Sequence, residues 1–291
     1  MKLVTFERKK KTGIGILNTG PEGMVIGVLE GLESLFEIMG MEEKKIRSFY
    51  TGENIPYDKA RVLAPIPEPV RDIICLGVNY LDHAEESARF KAAEFNGPRQ
   101  YPAYFGKRVD RATGDRGLIP WHGDVDDRLD YEVELALIIG KTAKRVSREE
   151  ALDYVFGYTI LNDVTARTIQ QRHLQWYAGK SLDGYCPMGP CVVTKSELDY
   201  RNLDIRSYVN GELRQSSNTS KQIFDIPYVI SELSQMITLQ KGTIISTGTP
   251  AGVGAGFDPP KTLKPGDEVV CEIEGIGRLT NTVETPEGYN A

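Results

Sequence analysis

The sequence predicts a mixed α+β fold dominated by strands, and three observations carry that expectation. Short apolar segments bounded by glycine and proline outnumber stretches of helical periodicity. The two kinds of segment do not alternate as a doubly wound parallel sheet would require. Glycine fills 29 of 291 positions with no repeating period, which points to many turns and close backbone approaches.

In chain order, Lys2 to Phe6, Gly13 to Leu17 and Met24 to Leu29 read as strands between Lys-rich and Gly/Pro turns, and Glu30 to Met39 as a short helix. The proline-bearing stretch Leu63 to Pro69 holds an extended backbone and marks a boundary. We expect a small N-terminal α+β domain over residues 1–68 and a larger domain over 69–291. Ile73 to Val78 is the first strand of the larger domain, followed by a charged helical stretch from His83 to Phe95. Asn96 to Asp127 is long, irregular and rich in Gly, Pro and charge, a candidate cover for a site. Tyr131 to Gly140 is the clearest strand. Ser147 to Glu150 matches a capping box and predicts a helix through Phe156. Tyr158 to Leu161 reads as a strand and Val164 to Gln171 as a helix, while Pro227 opens a helix that Gly242 ends. Ile244-Ile245 leads into a Gly-rich loop from Thr247 to Gly256, and a final hairpin turns at Gly275 to Gly277.

Thirty-five Lys and Arg against 41 Asp and Glu leave a net charge of −6, which gives no electrostatic reason to approach nucleic acid. The longest apolar runs are strand-sized, far below the roughly 20 residues that cross a bilayer, and residues 1–50 contain no signal-peptide core, so neither a membrane nor export is expected. A cytoplasmic protein follows from this reading. Cys75, Cys186, Cys191 and Cys271 form no C-x-x-C pair, so with three histidines a zinc-finger site lacks ligands and the thiols are expected reduced.

The chemistry concentrates in a few places. In Asp130-Tyr131-Glu132-Val133-Glu134-Leu135, alternate strand residues share a face, so Glu132 and Glu134 sit side by side at the mouth of an apolar strand. Two buried like charges call for a cation between them; a solvent-facing edge strand would need none. Asp163 follows a strand and precedes a helix, placing it either as an N-cap or as a third carboxylate. Three carboxylates without clustered histidine suit a hard cation: Mg²⁺ first, then Mn²⁺ or Ca²⁺. In Gly77 to Glu86, His83 and Glu86 are i and i+3 on a helix, where the carboxylate can orient the imidazole as a general base; an incidental surface histidine would look the same. Gly179-Lys180-Ser181 is not a phosphate-binding loop, because Leu174 stands where that motif needs glycine. The Gly-rich loop after Ile245 lacks dinucleotide-binding spacing, but exposed backbone N–H groups and hydroxyls in Thr247 to Pro250, Gly248 and Thr249 among them, could hold a substrate carboxylate, where a plain loop would hold none.

Together and in this order the segments resemble the fumarylacetoacetate hydrolase family. The similarity runs through G-x-N-Y-x-x-H-x-x-E at Gly77 to Glu86, P-x-x-F-x-K at Pro102 to Lys107, D-Y-E-x-E-L at Asp130 to Leu135, and N-D-x-[ST]-A-R at Asn162 to Arg167 with Gln170 beyond it. It continues in G-K-[ST] at Gly179 to Ser181, Cys186 to Pro190, Thr247 to Pro250 with Gly252 to Gly254, and Glu274 to Gly277. The resemblance implies a mixed β-roll, a homodimer, and Mg²⁺ or Mn²⁺ on Glu132, Glu134 and Asp163. It also implies a His83–Glu86 acid/base dyad on a helix that orders over substrate, Lys180 stabilising an enolate, and Arg167 and Gln170 as substrate contacts. Thr168 and Leu182 depart from the family's Asp and Phe, at positions outside the ligands and the dyad.

Such residues suit a 2-oxo carboxylic acid, whose keto and carboxylate oxygens chelate a cation that then stabilises an enolate. The first expectation is C–C bond hydrolysis or isomerisation of a dioxo or hydroxymuconate-type acid. The alternative is oxaloacetate tautomerisation or decarboxylation. A binding protein that has lost activity would need a broken dyad or a missing lysine, and both are intact.

Overall fold

A computed structural model describes residues 1–21, 23–90 and 97–287. Among them, eleven strands form one mixed sheet whose centre is built from the most apolar segments of the chain. Its N-terminal half comprises β1 (Lys2–Arg8), β2 (Lys11–Gly20), β3 (Gly23–Leu29), β4 (Tyr50–Pro56) and β5 (Arg61–Val62). Two short helices, α1 (Leu35–Ile38) and α2 (Glu43–Arg47), lie between β3 and β4. The helix expected over Glu30 to Met39 is only the single turn of α1, because Ser34 and Glu37 form a capping box that starts it late.

The second half of the chain begins with β6 (Ile73–Gly77), α3 (Leu81–Phe90), β7 (Ala103–Lys107), β8 (Leu118–Pro120) and β9 (Leu129–Asp130). Next come β10 (Val133–Ile139), β11 (Val155–Asn162), β12 (Thr165–Ala166), α4 (Arg167–Arg172), α5 (Tyr177–Lys180) and β13 (Met188–Thr194). The chain closes with β14 (Asp204–Val209), β15 (Glu212–Asn218), α6 (Ile226–Met236), β16 (Ile244–Ser246), β17 (Glu268–Ile273) and β18 (Gly277–Glu284). The large sheet runs β4-β3-β2-β1-β13-β11-β10-β16-β6-β7, with β5 pairing beside β1, and a five-stranded sheet runs β15-β14-β17-β18-β8.

Every residue of β10 is buried, and alternation divides the strand between two apolar clusters. Leu135 and Leu137 join Ile205, Cys271 and Leu279 of the smaller sheet. Ala136 and Ile138 join Leu3, Ile14 and Val192 on the opposite side. Glu132 and Glu134 therefore share a face with Ala136 and Ile138. Register carries this to β11, where Glu134 opposes Leu161 and Val133 opposes Asn162, so Asp163 emerges one residue beyond the paired edge.

β1 pairs antiparallel with β13, Leu3 opposite Val192, so the large sheet passes without a break across the position expected to divide the chain at residue 68. Two expected helices differ. The Ser147 hydroxyl bonds to the Glu150 side chain, and a single 3₁₀ turn, Ala151–Tyr154, follows in place of a helix to Phe156. Thr165 and Ala166 pair with Asp130 and Leu129, which delays the next helix to Arg167. The helix opened at Pro227 is α6, capped by Asp225, and it stops at Met236 before Gly242. Of the stretch expected to be helical to Phe95, residues 91–96 lie outside the described residues.

Candidate active site

Two neighbouring strand ends deliver the three acidic residues to one point. Glu132 precedes β10, Glu134 is its second residue and Asp163 leaves β11, and their carboxylates offer oxygens all within 4.8 Å of one another while buried. Asp163 is met by two lysines: Lys180 Nζ reaches Oδ2 at 2.6 Å and Lys107 Nζ reaches Oδ1 at 2.7 Å. Lys180 also holds Glu132 Oε2 at 2.7 Å, and Arg167 Nη2 holds Glu132 Oε1 at the same distance. Arg167 turns its Nε to Asp130 Oδ2 at 2.8 Å, and Asp130 accepts the N–H groups of Gly254 and Ala255, which fixes the Gly-rich loop.

Glu134 has a different environment. It accepts a hydrogen bond from the Ser246 hydroxyl and one from the Gly248 N–H at 3.0 Å, and it makes no ion pair among the described residues. Burial, then the charges of Asp163 and Glu132, push its carboxyl well above the ordinary carboxylate range. Burial also pushes Glu132 upward, but Lys180, Arg167 and His83 outweigh it and leave that carboxyl below its ordinary value. Burial works against the Lys180 ammonium as well, yet Asp163 and Glu132 hold its pKa above the ordinary lysine value.

α3 supplies the imidazole. Tyr80 to Ala84 start the helix, and His83 Nδ1 lies 2.9 Å from Glu86 Oε2, one turn along the same face. Glu86 Oε1 accepts the Gly252 N–H at 2.8 Å, so the carboxylate that orients the imidazole is itself fixed from the Gly-rich loop. Gly252 has φ +101°, and a Cβ there would lie 2.1 Å from the Arg214 carbonyl oxygen. Gly252→Ala should therefore cost about 1–3 kcal/mol in stability and lower turnover by misplacing Glu86. Parental activity and an unchanged thermal midpoint in that variant would separate the loop from the dyad.

One cavity of about 350 Å³ collects these groups. His83, Glu132, Glu134, Arg167 and Lys180 line its buried end, and Gln170 and Thr249 line it as well. Two expected substrate contacts are otherwise engaged. The Gly248 N–H is spent on Glu134, and the Thr249 hydroxyl donates to the Val133 carbonyl while accepting from Gln215. Lys107 and Asp130 were not singled out from the sequence, although both stand inside the P-x-x-F-x-K and D-Y-E segments. A lysine in a strand otherwise built of Ala, Tyr, Phe and Gly was the available signal for Lys107.

The pattern of elements and residues has a counterpart among known proteins. The model of the fumarylacetoacetate (FAA) hydrolase C-terminal domain matches residues 72–284. The chain belongs to the fumarylacetoacetate hydrolase family. Within the family, it is 48% identical over 226 residues to the oxaloacetate tautomerase YisK of Bacillus subtilis (strain 168), a match covering 77% of this chain and 73% of that protein. Among solved structures it resembles a fumarylacetoacetate hydrolase from psychrophilic Exiguobacterium antarcticum, with a TM-score of 0.84 and 39% identity over 98% of this chain and all of that one. A 2-hydroxyhepta-2,4-diene-1,7-dioate isomerase from Mycobacterium marinum gives a TM-score of 0.78 and 31% identity over 99% of this chain and all of that one. No helix among the described residues of this family member is long and apolar enough to cross a membrane.

Proposed function

We propose that this protein is a divalent-metal-dependent enzyme that forms an enolate from a 2-oxo acid, with keto–enol tautomerisation of an oxaloacetate-type acid as its reaction. The charge balance of the buried cluster at the cavity's end carries the reading. Asp130, Glu132, Glu134 and Asp163 set four carboxylates against the three cations Lys107, Arg167 and Lys180, and the carboxylate left without a cation is Glu134. Asp163 Oδ1, buried and ion-paired to Lys107, makes no hydrogen bond among the described residues. The donor set fits Mg²⁺ or Mn²⁺ on Glu132, Glu134 and Asp163, with Ca²⁺ as a weaker fit. Such a cation supplies Lewis-acid polarisation of the keto oxygen.

The remaining work falls to the chain's own residues. His83, oriented by Glu86, takes the proton from the carbon beside the keto group. Lys180 places a fixed positive charge where negative charge develops on the keto oxygen, in a buried setting that strengthens the interaction. Returning a proton to oxygen gives the enol, and the reverse sequence gives the keto form, so atoms balance without a co-reactant. Arg167 pairs with both Asp130 and Glu132 and donates to the Gln170 amide oxygen, fixing where that side chain stands. The 48% identity to an oxaloacetate tautomerase supports tautomerisation over the C–C hydrolysis that the sequence put first.

Hydrolysis of an acylpyruvate is the second reading, favoured by a dyad equally able to deprotonate water and by the likeness to a fumarylacetoacetate hydrolase. The proposal includes a homodimer, on the family resemblance, and a cytoplasmic location, which four free and buried cysteines suit. The test is tautomerisation of oxaloacetate and cleavage of acetylpyruvate, each with Mg²⁺ and with EDTA. Metal-dependent interconversion of oxaloacetate is the expected result; turnover of neither acid would sink the proposal.

A further inference from the structure

The cavity has two chemically distinct ends. At the buried end the polar groups are already paired: Lys180 with Glu132 and Asp163, Arg167 with Asp130 and Glu132, and the His83 imidazole with Glu86. At the exposed end the lining comes from the C-terminal part of α4 and the residue that ends it, Gln170, Gln171 and His173. Arg167 Nη1 donates to Gln170 Oε1 at 3.0 Å, and Arg128 Nη1 donates to Gln171 Oε1 at 3.3 Å. With both amide oxygens facing arginines, both amide NH₂ groups are turned away and remain free to donate. The His173 imidazole makes no hydrogen bond or ion pair among the described residues, while its backbone N–H closes α4 on the Ile169 carbonyl. Among the described residues, the rim therefore carries three side chains with unspent donors and no carboxylate.

We infer that Gln171 and His173 form a receptor for a second, distal carboxylate, so that the site selects 2-oxo dicarboxylic acids over 2-oxo monocarboxylic ones. This rests on the enolate reading above and deepens it, because the keto acid end is assigned to the buried groups. A 2-oxo monocarboxylate has nothing to offer the rim. A dicarboxylate places its second charge where the Gln171 amide and the His173 imidazole are free to donate, where no acid among the described lining residues opposes it, and where exposure keeps the desolvation cost low.

The experiment compares one ligand that reaches the rim with one that cannot. Oxaloacetate turnover and the inhibition constant of oxalate, which has no distal group, are measured for the Mn²⁺-loaded parent, Gln171→Ala, His173→Ala and the double variant. Each single change should raise the oxaloacetate KM about tenfold, the order of one lost hydrogen bond to a charged group. The kcat should hold within about twofold, and the oxalate constant should not move. Equal weakening of both ligands would mean the rim acts on the buried end, and an unchanged KM would mean it does not touch substrate; either overturns the inference while leaving the enolate reading intact. A parent that neither turns over oxaloacetate nor binds oxalate by calorimetry overturns that reading, and the inference with it.

Discussion

Asp163→Asn is expected to abolish tight Mn²⁺ binding and lower turnover by roughly 10³-fold or more, since Lewis-acid stabilisation supplies several kcal/mol of the barrier. Asparagine keeps the shape of the side chain but removes the charge that two lysines face. Asp163→Ala is harsher, leaving Lys107 and Lys180 without their shared partner in a fully buried setting. Breaking buried ion pairs in that way costs about 3–5 kcal/mol, so the alanine variant is expected to fold poorly. Glu134→Gln provides the contrast. No cation depends on Glu134, and burial already disfavours its charge, so the glutamine variant should fold as well as the metal-free parent while binding Mn²⁺ more weakly. Calorimetry on the asparagine and glutamine variants decides the matter: parental Mn²⁺ affinity in both would remove the metal assignment.

The second large effect concerns the imidazole. His83→Gln should lose about 10²–10⁴ in turnover, the range over which a positioned general base acts, while Mn²⁺ binding stays at the parental level. Glu86→Gln should lose less, because the imidazole remains while its orientation and the stabilisation of its protonated form weaken. The two substrates sharpen the result. If His83 moves the substrate proton, oxaloacetate interconversion falls with His83→Gln. If it activates only water, acetylpyruvate cleavage falls alone. Parental rates on both acids would leave the dyad without a role.

Strand periodicity made the carboxylate cluster legible: Glu132 and Glu134 are two residues apart on a strand, and that spacing carries directly into shared facing in β10. Asp163 was readable as a residue at a strand end, but its convergence depends on the β10–β11 register, which no local pattern contains. Lys107 was missed for a related reason. Its carbonyl and charge partners, Lys180, Val164 and Asp163, lie 56 to 73 positions away along the chain, and only the fold brings them together. The β14–β15 hairpin went unread although Asn210-Gly211 is the strongest short hairpin signal, and both residues adopt positive φ, +50° and +80°. After Ser147 only half of the capping box forms: the Glu150 N–H donates to the Ser147 hydroxyl at 3.3 Å, but the Glu150 side chain accepts from that hydroxyl rather than from the Ser147 N–H, and one 3₁₀ turn follows.

The pairing of β1 on β13 bears on how this chemistry can be inherited or cut apart. β13 is seven residues long, and all seven are buried. Without β1 it would present a flat, apolar row of unpaired backbone donors and acceptors, the kind of edge that recruits another strand from solution. The first strand thus acts as a guard against self-association, although it lies outside the segment matched by the family model and supplies no side chain to the cavity. A chain shortened to its catalytic segment would keep every charged group of the site and still face a colloidal problem, and a rearrangement that moved that segment into another protein would have to bring a substitute edge with it.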